Sequence, residues 1–372
     1  QTWVNGATNT ELATIAESME GAVGSNGFQL ASASYLNSNF SVASQENVPQ
    51  GFAFNTTGTK LFVVGTQNSE VFQYTLSTAF DVSSASYDSV NKNVYPQEPA
   101  PQDIRFNNDG TKMYIIGNQS IFEYSLSTAF LVSSASYTDS FSLTGQTTSG
   151  RSLEFNSDGT KMFMLNGYSR TYEYNLSSAF DISTASIVDN FYSIAQTAET
   201  NGLAFSSDGT KMFIADEQLN KVFQYNLSTG FDVSTAAYSS ISFDVNSQET
   251  IANAIGFSAN GTKMFIMGEN SDSIFQYSSG SLVYTNQMDK TQLDAVTDPN
   301  HIALSNDFDL SIILNMTSGT TVPSSNGVAI NYDANILNKG AVLGTDYDFD
   351  APAQNKVRIT ALAGNNLKVR VV

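Results

Sequence analysis

The sequence predicts an all-β chain dominated by a five-bladed β-propeller that an N-terminal strand closes, followed by a small C-terminal β-sandwich. Three observations carry this. The tripeptide Gly-Thr-Lys begins at Gly58, Gly110, Gly159, Gly209 and Gly261, so a unit of about 50 residues recurs five times. Four copies of one longer phrase, "YTLSTAFDVSSASY", "YSLSTAFLVSSASY", "YNLSSAFDISTASI" and "YNLSTGFDVSTAAY", keep step with it. A headless fifth copy, "GFQLASASY", stands near the front, and the last repeat, "IFQYSSGSLVYTN", stops before reaching the phrase.

Each repeat reads as four strands. An apolar-x-Phe step precedes each Gly-Thr-Lys: Phe52 and Phe54, Ile104 and Phe106, Leu153 and Phe155, Leu203 and Phe205, Ile255 and Phe257. That period of two marks the inner strand. Turns such as "NNDGTK" and "SSDGTK" supply Asn, Asp or Ser and then Gly, as a tight hairpin requires. Second strands ("KLFVVG", "KMFIMG") and third strands ("VFQY", "IFEY") follow, and the phrase leads into a fourth, such as "SYTDSFSL". Four-stranded sheets set radially around an axis limit exposed sheet edges.

The phase of the repeats predicts how the ring closes. The last blade lacks an outer strand, and the headless copy over 28–42 has the right phase to supply it to the blade over 254–277. A six-bladed ring that borrows an irregular blade from the C-terminal region is the alternative. Cysteine is absent, so no disulfide can hold the ring.

Outside the repeats, residues 1–27 read as a tether with a short helix over 9–22, where Leu12, Ile15 and Met19 share a face. The propeller is assigned to 28–284. Residues 285–372 read as a β-sandwich-like attachment or oligomerisation domain, with strands in "HIALSN", "LSIILNM", "VAINYDANIL", "VRITAL" and "LKVRVV".

Charge and composition narrow the partners. There are 35 acidic and 16 basic residues, for a net charge of -19, which repels nucleic acid and bare anionic membranes. No apolar run approaches the roughly 20 residues of a membrane-spanning helix, so no membrane insertion is expected. Residue 1 is Gln, and localisation is not read from the N-terminus.

Candidate sites are few. The single histidine, His301, lies outside the repeats, so they hold no His-based triad and no multi-His metal site. Propellers of five blades can hydrolyse glycosides with paired carboxylates at the axis. Here the middle residues of the inner strands are Ala53, Arg105, Glu154, Ala204 and Gly256, with Asp103 nearby, and Arg105 and Glu154 read as either neutralising each other or facing solvent. No enzymatic activity is expected. Gln45, Gln97, Gln146, Gln196 and Gln248 each precede the final Phe of the inner strand by nine residues, which puts five amides on one rim. They are candidates either for binding a sugar or peptide or for satisfying backbone groups of the adjacent blade. Asp346, Asp348 and Asp350 alternate in "DYDFD" and form a candidate calcium site; no other cofactor is expected.

The pairing of "FSSDGTKMF" with "VFQYNLSTGFDVSTAAY" resembles propeller repeats of the broad WD40-like and YVTN type. The longer "LSTAFDVSSASY" form resembles repeats in proteins of tailed phages, marine ones especially, and in some bacterial surface proteins. The segment "GAVLGTDYDFDAPAQNKVRITALAGNNLKVRVV" is similar to a β-domain at the ends of phage virion appendage proteins. This resemblance implies a virion structural protein: a tail fibre, head fibre or capsid-decorating subunit. Its implied partners are other virion proteins and a host surface glycan or protein; joining of further copies through the C-terminal domain is a separate expectation, from the apolar strand over 367–372, which pairs inside its own sheet or with another subunit. The implied location is the extracellular virion surface, and no catalytic residues carry over. A secreted bacterial surface module that binds glycan or peptide is the alternative.

Overall fold

A computed structural model describes residues 27–192, 196, 199–280 and, further on, 328–330, 357–361 and 368–371. The chain divides into two units, Gly27–Ser281 and a second made of Gln1–Asn26 with Leu282–Val372.

The first unit is a closed five-bladed β-propeller. Its N-terminal strand β1 (Ser34–Ser41) is followed by blade 1, β2 (Pro49–Phe54), β3 (Lys60–Gly65), β4 (Glu70–Leu76) and β5 (Ala85–Asn93). Blade 2 holds β6 (Asp103–Phe106), β7 (Lys112–Ile116), β8 (Ser120–Leu126) and β9 (Ala135–Ser142). Blade 3 holds β10 (Gly150–Phe155), β11 (Lys161–Asn166), β12 (Arg170–Leu176) and β13 (Ala185–Tyr192). In blade 4 are β14 (Thr200–Phe205), β15 (Lys211–Asp216), β16 (Lys221–Leu227) and β17 (Ala236–Asp244). Blade 5 has β18 (Ala252–Phe257), β19 (Lys263–Gly268) and β20 (Ser273–Ser278), with β1 paired antiparallel to β20 as its outer strand.

Closure therefore occurs as the repeat phase predicts. Tyr35 lies opposite Tyr277 and Ser34 opposite Ser278, with the two serine hydroxyls 2.7 Å apart. The Phe28 and Gln29 amides donate to the Gly261 and Ser279 carbonyls at 2.7 and 2.6 Å. The core confirms a ring of five rather than six. Among the described residues it falls into five apolar clusters, one at each junction between neighbouring blades, and the junction of blades 5 and 1 has its own cluster around Phe52, Val63, Tyr74, Phe265 and Met267. Because blades cover one another, β3 and its equivalents are buried on both faces, hence "LFVV" and "MFIM" without alternation, whereas the outer strands alternate.

The hairpins explain the Gly-Thr-Lys. Gly58, Gly110, Gly159, Gly209 and Gly261 have φ between 68° and 72°, where a Cβ is strained. The residue before glycine does not share that conformation. Where it is Asp, its carboxylate instead accepts from the threonine amide and hydroxyl, as Asp158 does from Thr160 at 2.9 and 2.6 Å. A phenylalanine from the phrase covers each glycine, and Phe28, Phe80, Phe130, Phe180 and Phe231 themselves have φ of 52–59°.

The lysine joins blades. Lys112, Lys161, Lys211 and Lys263 donate from Nζ to the carbonyls of Phe180, Phe231, Phe28 and Phe80 in the next blade, at 2.7–3.0 Å. Lys211 thus treats Phe28 as part of blade 5. Lys60 departs from the pattern and bonds Thr75 and Asp88 within its own blade, at 2.7 and 2.8 Å. The phrase is bonded a second way. Gln276 accepts from the Val82 amide, Gln73 from Val132 and Glu173 from Val233, at 3.0–3.1 Å.

In the C-terminal region, β21 (Val328–Ile330), β22 (Val357–Ala361) and β23 (Lys368–Val371) form an antiparallel sheet in that order. The expected helix over 9–22, the strands in "HIALSN" and "LSIILNM", His301, and Asp346, Asp348 and Asp350 lie outside the described residues.

Candidate functional site

The inner strands β2, β6, β10, β14 and β18 bring Ala53, Arg105, Glu154, Ala204 and Gly256 to equivalent positions around the axis. Three of the five are small, which leaves room for one long side chain to cross. Arg105 does so. Its Nη1 donates to the Phe52 carbonyl of blade 1 (3.0 Å), the Ile104 carbonyl (2.7 Å) and Asp103 Oδ1 (2.8 Å). Its Nη2 donates to Glu154 Oε1 of blade 3 (2.8 Å) and to the Leu203 carbonyl of blade 4 (3.5 Å). One guanidinium thus ties four blades together.

Asp103 is the second hub. Its Oδ2 accepts from Ser152 Oγ at 2.6 Å and from the Leu153 amide at 3.2 Å, while Ser152 Oγ accepts from the Leu203 amide at 3.2 Å. Burial raises the Asp103 pKa, an effect that Arg105 and these hydrogen bonds only partly offset. Glu154 is raised by burial too, with Arg105 opposing and Asp103 adding to the shift. Burial disfavours the Arg105 charge, but the two carboxylates outweigh it and hold the guanidinium ionised. Two carboxylates face one cation, so the cluster carries one negative charge when fully ionised.

The two ends of the axis differ. At the hairpin end a cavity of about 250 Å³ opens among blades 5, 1, 2 and 3, walled by Phe52, Phe54, Phe106 and Phe257 and floored by Arg105 and Glu154. The other end carries Gln50, Gln102, Arg151, Asn201 and Asn253, one polar residue per blade, each five residues after a rim glutamine. Arg151 donates to Gln102 Oε1 (2.7 Å), Gln50 to Glu269 (3.0 Å), Asn201 to Glu217 and to Asn253 Oδ1 (3.2 Å), and Asn253 to the Pro49 carbonyl (3.0 Å). This ring escaped the sequence reading, although its repeat phase was as regular as that of the glutamines.

The rim glutamines lie in the loops from an outer strand to the next inner strand and are half-buried. Gln45, Gln97, Gln196 and Gln248 accept through Oε1 from Tyr74, Tyr124, Tyr225 and Tyr277 at 3.3–3.5 Å, and the Gln146 backbone carbonyl accepts from Tyr172 at 3.0 Å. Those tyrosines stand on third strands in the core between blades, so the amides contact a structural partner. Their acidic neighbours, also missed, do more. Glu46 is buried and accepts from the Val48, Gln67 and Asn68 amides, and Glu249 accepts from Ile251, Asn270 and Ser271 in the same way. Among the described residues no group of three or more His, Cys, Asp or Glu side chains is placed to hold a metal ion.

Strand pairing and the five junction clusters define the class: a β-propeller of five blades whose outer strand in the last blade comes from the N-terminal side. No family model matches the chain, and no curated protein matches it. Among solved structures it is similar to the β-propeller domain of Cps50 (Swd1) from Myceliophteria thermophila, with 8% identity and a TM-score of 0.40 over 63% of this chain and 84% of that one. It is also similar to a luciferin-regenerating enzyme, with 14% identity and a TM-score of 0.40 over 66% of this chain and 95% of that one. At these scores neither similarity bears on what this chain does.

Proposed function

We propose that the chain is a non-enzymatic virion structural protein of a tailed phage, a tail fibre, head fibre or capsid-decorating subunit, that presents a rigid propeller for adhesion to a host surface glycan or protein. Residues 285–372 would form its β-sandwich-like attachment or oligomerisation domain. The observation that carries the reading is at the axis. Where a hydrolase of this architecture needs an acid and a base free to face one bond, Asp103 and Glu154 share Arg105, and the group is committed to joining four blades. The resemblance of the repeats to phage proteins supports the same reading. The face that would meet a host receptor is the glutamine rim, where loop residues Tyr95, Tyr168 and Leu219 are 62%, 65% and 44% exposed.

Negative-stain imaging of purified particles with a label on this protein tests the proposal. The label is expected at regular positions on the virion, and its uniform absence would reject the reading. A glycan array probed with and without calcium separates the adhesive role from a purely architectural one.

A further inference from the structure

We propose that the channel mouth at the hairpin end binds an alkylammonium group, with Glu154 as its counter-ion and the surrounding phenylalanine rings as its walls. The inference is independent of where the protein sits on a particle. It starts from charge. Asp103 and Glu154 outnumber Arg105, and the guanidinium already donates to three carbonyls and two carboxylates, which leaves it poorly placed to take an anion from solution. Of the two acids, Asp103 is shut in, with 3% of its side chain exposed, whereas Glu154 keeps 21% exposed and lines the cavity. The unbalanced charge is therefore presented at the mouth.

The walls choose the kind of cation. Phe54, Phe106 and Phe257 are only partly buried and line the cavity with Phe52; Asn55 and Thr56 line it too, but Asn55 Oδ1 already accepts from the Lys60 amide, and Glu154 is the one carboxylate in the lining, too few oxygen ligands for a metal ion. Aromatic faces attract alkylammonium and quaternary ammonium ions, and most strongly where water is excluded. A volume of about 250 Å³ is below the range of about 300–1,000 Å³ typical of sites for drug-sized ligands. It suits a small amine or the end of a lysine side chain. Gly256 contributes to that space, since a Cβ there would lie 3.0 Å from the Phe52 ring.

Calorimetric titration with n-butylammonium and tetramethylammonium, against n-butanol as the uncharged control, tests the site. Saturable binding of the cations is expected, at least tenfold tighter than that of butanol and weakened at least tenfold by Glu154→Gln. Butanol binding as tightly, Glu154→Gln binding within twofold of the native protein, or no saturable binding would each overturn the proposal. If the variant does not fold, magnetisation transfer from tetramethylammonium methyl protons to the ring protons of Phe106 and Phe257 in the native protein decides instead. Transfer sustains the site, and saturable binding without it overturns the site. A short lysine-containing peptide that binds more tightly than n-butylammonium would assign the group to a partner protein, and one that binds no better would assign it to a free amine.

Discussion

Asp103 lies with 2% of its surface exposed, so the cost of its charge depends on Arg105. Removing one partner of a buried ion pair strands the other and typically costs about 3–5 kcal/mol, while replacing all partners by neutral groups costs far less. Arg105→Met is accordingly expected to lose about 3–5 kcal/mol in denaturant unfolding. Adding Asp103→Asn and Glu154→Gln should recover much of that, and additive losses would show that the cluster is not one unit. Asp88 gives the pH counterpart. Burial raises its pKa, but hydrogen bonds from Lys60, Thr75 and Gln73, with the Lys60 charge, outweigh that and hold it below the usual carboxylate range. A depressed folded pKa contributes stability that is fully present above the unfolded value of about 3.9 and is lost as pH falls through the folded value. Asp88→Asn should therefore flatten the acid limb of a stability–pH curve below about pH 4 and also lower the plateau above it. Two opposite charges at equivalent positions made the pairing of Arg105 with Glu154 one of two readings, the other being that both face solvent. The reach of Arg105 to four blades was not, because it depends on Ala204, Gly256 and Ala53 being small at positions brought together only by ring closure.

At the scale of the element, the hairpin glycine was legible and its full burden was not. Gly159 has φ of 72°, and a Cβ there would come within 2.2 Å of the Phe180 ring. The left-handed conformation alone costs an ordinary residue about 1–2 kcal/mol, and the ring must also move. Gly159→Ala is expected to destabilise by about 2 kcal/mol or more by thermal or denaturant unfolding. A smaller loss would mean that Phe180 is free to shift. The phrase itself could be placed between the third and outer strands from its position in the repeat. Its phenylalanines at positive φ could not, since such a conformation is a rarity for a bulky residue and is imposed by neighbours. Nor could the purpose of the lysine be read, because its acceptor lies in the next blade, as the Phe231 carbonyl does for Lys161. Two nearby copies of a motif suggest that each serves its own repeat, whereas here four of the five lysines reach the following one and only Lys60 stays within its own.

For the whole molecule, closure rests on pairing residues more than 200 positions apart, and counting repeat heads and tails was enough to foresee it. Without β1, strand β20 would present a bare edge, and the cluster around Phe28, Leu30, Phe275 and Tyr277 would lose one wall. Deleting residues 1–42 should therefore raise the aggregated fraction above that of the native protein, as light scattering after size exclusion would report, and a peptide of residues 27–42 supplied during refolding should restore part of the native species. An unchanged elution profile would mean that the ring stays closed without its latch. What lay beyond sequence reasoning at this scale was the chemistry at the two ends of the axis, because each gathers single residues from several blades and no local stretch contains it.

The same pairing sets how the ring responds to force. β1 and β20 are antiparallel neighbours, and their pairing begins at Ser34 opposite Ser278, beside the points where the chain enters at Gly27 and leaves at Gly280. The bonds of such a ladder lie across the strands. Tension between those two points would load first the bonds of Phe28 to Gly261 and of Gln29 to Ser279, then one rung at a time from Ser34 and Ser278, and peel the latch open like a zipper at low force. Tension between either point and a distant blade would load the rungs together in shear. A propeller held from one end would thus be mechanically tough, and one pulled from both ends would be built to release.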